Sequence, residues 1–316
     1  MIARTGELEA GAVSQSEGAL RFSLNVVRGR DFDGGHAEDK GLSPMGTVVD
    51  VPEHRHVVSL DFVRFELVAD YAFADSWNAW LRIPYDVKDR TAKIELVDPA
   101  TPDEVAAMES NLAIHHPSET LEGFSDLHLL AARKRRDLFL ADDLAIVALG
   151  SSLPVGRTES DPYAAGDAGE PHEHVQFGSG TFDPLLELYY GAPLATDLRL
   201  SLFTVGRFPL YENRKEYRGP TEVSSGFHLS RRLSAQAAVH GGWTSLYQGY
   251  AKWDGERDVN TGLVAHEVSL GAKVDLGRGT SVSLDLRLPV SQRTLSDSGD
   301  AFEQGSVLQL GVSTSF

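Results

Sequence analysis

Ser281-Val-Ser-Leu-Asp-Leu-Arg-Leu-Pro-Val290 alternates without a break. Val282, Leu284, Leu286, Leu288 and Val290 share one face, while Ser281, Ser283, Asp285, Arg287 and Pro289 share the other. A period of two is the signature of a strand, because a helix repeats its faces at about 3.6 residues. About ten such residues cross a bilayer when the strand is tilted. Two further stretches read the same way. In 266–276, Val268, Leu270, Ala272, Val274 and Leu276 oppose Glu267, Ser269, Gly271, Lys273 and Asp275. In 77–87, Trp77, Ala79, Leu81, Ile83, Tyr85 and Val87 oppose Asn78, Trp80, Arg82, Pro84 and Asp86.

Extending this reading outward predicts twelve strands, at 19–29, 57–72, 77–87, 122–134, 143–153, 181–192, 196–207, 220–231, 233–246, 265–276, 280–291 and 305–316. The alternation is weakest in 143–153. Connections at 73–76, 135–142, 193–195, 232 and 277–279 are short, whereas those at 30–56, 88–121, 154–180, 208–219, 247–264 and 292–304 are long. Short turns on one side and long loops on the other are the build of a bacterial outer-membrane barrel, with the turns periplasmic. The expected fold is therefore all-β: a single transmembrane antiparallel β-barrel over 19–316, preceded by a periplasmic N-terminal segment, 1–18.

Composition suits such a barrel or a soluble β protein alike, and it excludes other classes. The 316 residues are 41% hydrophobic, yet no run approaches the roughly 18 apolar residues of a spanning helix. A net charge of −17 argues against nucleic acid. Cysteine is absent, which removes disulfides, thiolate metal sites and a cysteine nucleophile. The start, Met1-Ile-Ala-Arg-Thr, lacks the charged and apolar regions of a secretory signal, so export implies that a signal has been removed.

The final strand, Val307-Leu-Gln-Leu-Gly-Val-Ser-Thr-Ser-Phe316, alternates and ends on an aromatic residue. It resembles the terminal strand that the barrel-assembly machinery recognises. Tyr71, Phe73 and Trp77 flank the first short turn as an interfacial girdle would. In the second outer loop, Thr101-Pro-Asp-Glu104 has the spacing of a capping box with a first-turn proline. It predicts a helix to about residue 113, as a lid or shelf over the mouth.

The inward faces collect charges of both signs. Arg21, Arg64, Glu66, Arg82, Asp126, Glu187, Arg199, Arg207, Glu267, Lys273, Asp285 and Arg287 are expected to line the lumen, with His128, His228 and His240. Such groups must neutralise one another or meet water. They serve either as a salt-bridge filling or as a polar track for a solute. His36, His54, His56, His115, His116, His172 and His174 fall in the first three outer loops. His54-Arg-His56 and His172-Glu-His174 place paired imidazoles on one side of an extended chain, beside Glu53 and Glu173. Those four histidines are the candidate ligands for zinc, nickel or copper, against the plainer reading of solvated loop residues.

An enzyme is not expected. His228-Leu-Ser230 has the spacing of a barrel phospholipase pair but faces the lumen, and no base or oxyanion donor can be assigned. Gly178-Ser-Gly180 is followed by no helix, so it is not a phosphate loop.

Three stretches resemble the outer-membrane family of the phenol meta-cleavage (MetA) pathway. They are Gly123-Phe-Ser-Asp126, Leu153-Pro-Val-Gly156 and Gly178-Ser-Gly-Thr-Phe-Asp-Pro184, with a looser likeness from about residue 57 to the end. The resemblance implies an outer-membrane channel for small aromatic or other hydrophobic compounds, and it carries no catalytic residues. Expected partners are outer-membrane lipid, a small solute and the assembly machinery. The alternative is a scaffold or binding barrel that docks a partner protein or captures a divalent metal with its outer loops.

Overall fold

A computed structural model describes residues 17–297 and 302–316. All of the expected segment 1–18 except Glu17 and Gly18 lies outside the described residues. The chain forms a closed antiparallel barrel. Its wall is β1 (Leu20–Leu42), β2 (Val48–Ala74), β3 (Trp77–Leu96), β4 (Glu119–Phe124) with β5 (Leu127–Arg136), β6 (Leu144–Leu153), β7 (Pro184–Pro193), β8 (Leu198–Arg207), β10 (Glu222–Arg232), β11 (Ala237–Gln248), β14 (Leu263–Gly277), β15 (Thr280–Thr294) and β16 (Ser306–Ser315). Strands β4 and β5 both pair with β3 and occupy one position, giving twelve. Pairing of β1 with both β2 and β16 closes the ring, so every ladder finds a partner, as hydrocarbon demands.

The phase is as the alternation predicts. On β15, Leu284, Leu286 and Leu288 are 39–49% exposed, whereas Asp285 is 4% and Arg287 1% exposed. Apolar side chains point to lipid and charged ones into the lumen. The outward rows change character at the outer end. On β2 they run Phe73, Tyr71, Leu67 and Phe65 and then reach Asp61; on β3, Val87 gives way to Asp89. These acids mark the upper edge of the apolar belt. At the lower edge Phe73 stacks on Trp77, with centroids 6.4 Å apart.

The first outer connection is corrected. Residues 30–56 are not a loop: β1 and β2 continue as a hairpin to a turn at 43–47, and β3 accompanies them to Leu96. Above the belt both faces of a strand meet water or polar chain, so apolar alternation vanishes although the ladder persists. A bulge between Gly29 and Phe32, with Asp31 at φ 61°, separates the two parts of β1. The short turns are as expected in place, with two corrections of length. Residues 233–236, not residue 232 alone, link β10 to β11. Arg278 and Gly279 link β14 to β15, where Gly277, Arg278 and Gly279 all adopt positive φ. The expected strand 122–134 is broken at Ser125-Asp126.

The helix α1 (Pro102–His115) carries the predicted capping box: Thr101 accepts from Glu104 N, and Glu104 accepts from Thr101 N at 2.7 Å. It is packed as a shelf against the extended hairpin, with Met108 fully buried and Asn111 donating to the Lys40 carbonyl at 3.1 Å. A short helix, α2 (Pro162–Asp167), and three two-residue strands, β9 (Tyr217–Arg218), β12 (Lys252–Trp253) and β13 (Glu256–Arg257), add unexpected order to the outer loops.

Candidate functional site, an outer histidine chamber above a charged lumen

Two cavities lie one below the other from the outer end toward the middle of the barrel. The outer one, about 870 Å³, is walled by the hairpin extension, α1, α2 and the loop segment around His172–Gln176. The inner one, about 300 Å³, is walled by Arg64, Lys88, Asp126, His128, Phe177, Arg207 and Glu222 among others. Gln176, Tyr217 and Thr261 belong to both walls.

The three family-like motifs meet at the inner cavity. Asp126 Oδ1 accepts from Gly156 N at 3.0 Å, and Oδ2 accepts from Ser179 N at 2.8 Å and Ser179 Oγ at 3.0 Å. Asp126 therefore leaves the strand ladder to anchor the loop 154–183, which explains the break between β4 and β5. Gly178 is required there, because a Cβ would sit 2.3 Å from Asp126 Oδ1. Its position below the outer loops suits a structural hub.

The remaining lumen charges are mostly paired. Arg82 forks onto Glu187 at 2.5 and 2.8 Å, and Tyr189 donates to the same carboxylate at 2.8 Å. Arg64 forks onto Asp86 at 2.6 and 2.7 Å. Arg207 lies 2.9 Å from Glu222 and 3.8 Å from Asp183. Arg21 pairs with Asp70, and His240 with Asp285. Arg287 reaches Gln309 at 3.4 Å, and His228 lies against Phe203 and His240. Arg199 sits low, donating to the Gly191 carbonyl at 3.0 Å. Glu66 and Glu267 are buried, and Lys273 is half-buried on the same inward phase. Beneath Arg82 and Glu187, Trp80, Leu130, Ile146, Tyr189 and Phe203 form an apolar cluster that packs the periplasmic half beside β3 to β8. Asp70, Asp86 and Glu222 escaped selection from the sequence although their phase is inward. Arg90 lies beyond the expected end of its strand, so no signal pointed to it.

Five of the seven loop histidines, His36, His115, His116, His172 and His174, line the outer chamber, and His54 and His56 are buried behind them. His54 and His56 are fully buried on β2, and His54 Nε2 lies 3.2 Å from His56 Nε2. Ligand atoms of His36, His56 and His116 lie within 4.8 Å of one another, as do those of His115, His172 and His174. Rings of the two trios also touch, His116 and His174 having centroids 5.2 Å apart. Of the sequence-based set, His56 falls in the first group and His172 and His174 in the second, while His54 belongs to neither and lies behind His56. Glu173 is held by Arg90 at 2.6 and 3.0 Å, and Glu53 is exposed on the outer face. Burial, reinforced by neighbouring imidazoles, lowers the pKa of His56 to about 3, His115 to about 4, His116 to about 2 and His174 to about 3. These four rings are neutral at neutral pH.

No protein-family model matches the sequence, and no curated protein matches it. Among solved structures, the crystal structure of an outer membrane channel from Pseudomonas putida F1 superposes with a TM-score of 0.60 at 12% identity, covering 97% of this chain and 98% of that one. A Pseudomonas aeruginosa FadL homologue gives a TM-score of 0.40 at 9% identity, covering 95% of this chain and 89% of that one. The P. putida toluene transporter TodX gives 0.40 at 10% identity, covering 97% and 91%. The first of these shares the fold of this chain, which is that of an outer-membrane β-barrel.

Proposed function

We propose that the barrel is an outer-membrane channel for small solutes, entered through the histidine chamber. One observation carries this reading: the outer and inner cavities share Gln176, Tyr217 and Thr261, so the two adjoin, one below the other, on the line from the mouth toward mid-membrane. The inner wall sets Phe177, Tyr217, Leu185 and Val205 beside Arg64, Lys88 and Arg207. Such a lining suits a solute with an aromatic or aliphatic body and a polar substituent. The floor is the Arg82–Glu187 pair, which must part, or be bypassed, for passage. The alternation of β16, the strand that closes the ring against β1, supports recognition by the assembly machinery.

A binding role, in which the outer chamber captures its ligand and nothing crosses, is favoured by the packed periplasmic half. Swelling of proteoliposomes in small phenolic and aliphatic solutes separates the two. A channel admits them faster than empty liposomes do, and the double variant Arg82→Ala/Glu187→Ala admits them faster still. Impermeability of both proteins would overturn the channel and leave the binding role.

A further inference from the structure

The histidine trios have more than proximity. The Pro52 carbonyl lies 3.1 Å from His54 Nδ1 and only accepts, so His54 carries its proton there and its Nε2 is a bare acceptor. His56 Nε2, 3.2 Å away, must then donate. In the neutral ring this leaves His56 Nδ1 with a lone pair, and that atom is buried with no hydrogen-bond partner, in a ring that lies against those of His36 and His116. The second trio is held in part in the same way. His172 Nδ1 donates to the Glu170 carbonyl at 2.9 Å, freeing Nε2, while His174 Nε2 is buried without a partner. A ring nitrogen fixed by a carbonyl or another ring, with its opposite lone pair left unsatisfied, is how metal-ligating histidines are held. A buried acceptor without a donor is otherwise a net cost.

We propose that the outer chamber binds a divalent transition metal through His36, His56 and His116, through His115, His172 and His174, or through both trios. His54 is a positioning residue that sets the tautomer of His56. Metal–imidazole bonds of about 2.0–2.1 Å require only small ring rotations to close such a trio. With Glu173 committed to Arg90 and no thiolate in the chain, the donor set is all imidazole, which suits zinc, copper(II) or nickel. The ligands come from the β1–β2 hairpin, the end of α1 and the segment after α2, so a bound ion ties three outer segments across the chamber. Gly166 of α2 stands against this junction, where a Cβ would lie 3.0 Å from the His115 ring and 3.2 Å from that of His172.

Calorimetry on the chelator-treated, full-length barrel in detergent, with zinc, copper(II) and nickel salts as probes, tests this. Micromolar or tighter binding is expected. Alanine at all six trio positions should abolish it, and His54→Ala should weaken it about 10- to 100-fold. His266→Ala, on the outer wall away from the chamber, should leave it unchanged. Heat-modifiable gel mobility reports whether each variant is folded. Copper(II) electron paramagnetic resonance on the wild type should show nitrogen hyperfine structure, which decides the matter even where a variant fails to fold. Absence of micromolar binding, retention of binding in a folded six-alanine variant, or a copper spectrum without nitrogen ligands overturns the proposal. Swelling measured in the presence of chelator tests permeation separately, so the two readings fail independently.

Discussion

At the scale of single residues, neighbours on one strand live in opposite solvents. Leu286 is 39% exposed and faces lipid, while Asp285 is 4% exposed and bonded to His240. Leu286→Arg places a cation in hydrocarbon and should cost about 2–4 kcal/mol if it lies at the midplane. Asp285→Asn retains a side chain able to bond His240 and leaves the lipid face intact, so it should insert and fold. Urea unfolding in lipid vesicles measures both, and equal losses would refute the phase of β15. That phase was legible because lipid and lumen impose opposite demands on alternate positions. Which lumen charges pair was not: Arg82 and Glu187 are 105 residues apart in sequence, and only closure sets them face to face.

At the scale of elements, the turn between β5 and β6 is organised by one carboxylate. Asp143 accepts from the backbone amides of Leu138, Phe139 and Leu140 at 2.7–2.9 Å and from the Tyr190 hydroxyl at 2.9 Å. Burial pushes its pKa up, but these donors outweigh burial and hold it at about 2. Its folded pKa lies below the unfolded value near 4, so its contribution is present above pH 4 and is lost as pH falls through about 2. Asp143→Asn at neutral pH should mimic the acid form. Faster hydrogen exchange at Leu138, Phe139 and Leu140 in this variant, with β6 unchanged, is the expected result; unaltered exchange would show that the carboxylate does not hold the turn. The capping box of α1 was readable because it is local in sequence. The extended hairpin of β1 and β2 was not, since above the lipid nothing forces one face to be apolar.

For the whole molecule, the sorting of short turns from long excursions fixes which end faces the periplasm. Single cysteines at Met45, on the hairpin tip, and Glu109, on α1, should react with an impermeant maleimide added to intact cells. Cysteines at Asp75 and Gln236, both exposed in short turns, should react only after lysis. The reverse pattern would invert the barrel, and a mixed one would deny it. The same global closure gathers the three family-like motifs, since Asp126, Gly156 and Ser179 are joined only when the loop 154–183 enters the barrel.

The sequence by itself determined the strand count, the phase of clearly alternating strands such as β3, β14 and β15, and the capped helix. These follow from local rules: a two-residue period between lipid and lumen, and hydrogen bonds within one helical turn. Tertiary structure alone decided the grouping of six of the seven loop histidines into two trios and the place of the seventh, His54, beside His56. It also decided the commitment of Glu173 to Arg90, and the stacking of two chambers above a packed floor. Those arrangements join β1, β2, α1 and the segment after α2, which lie far apart along the chain. No periodicity encodes them, because their distances are set only when twelve strands close and bring the outer segments over one mouth.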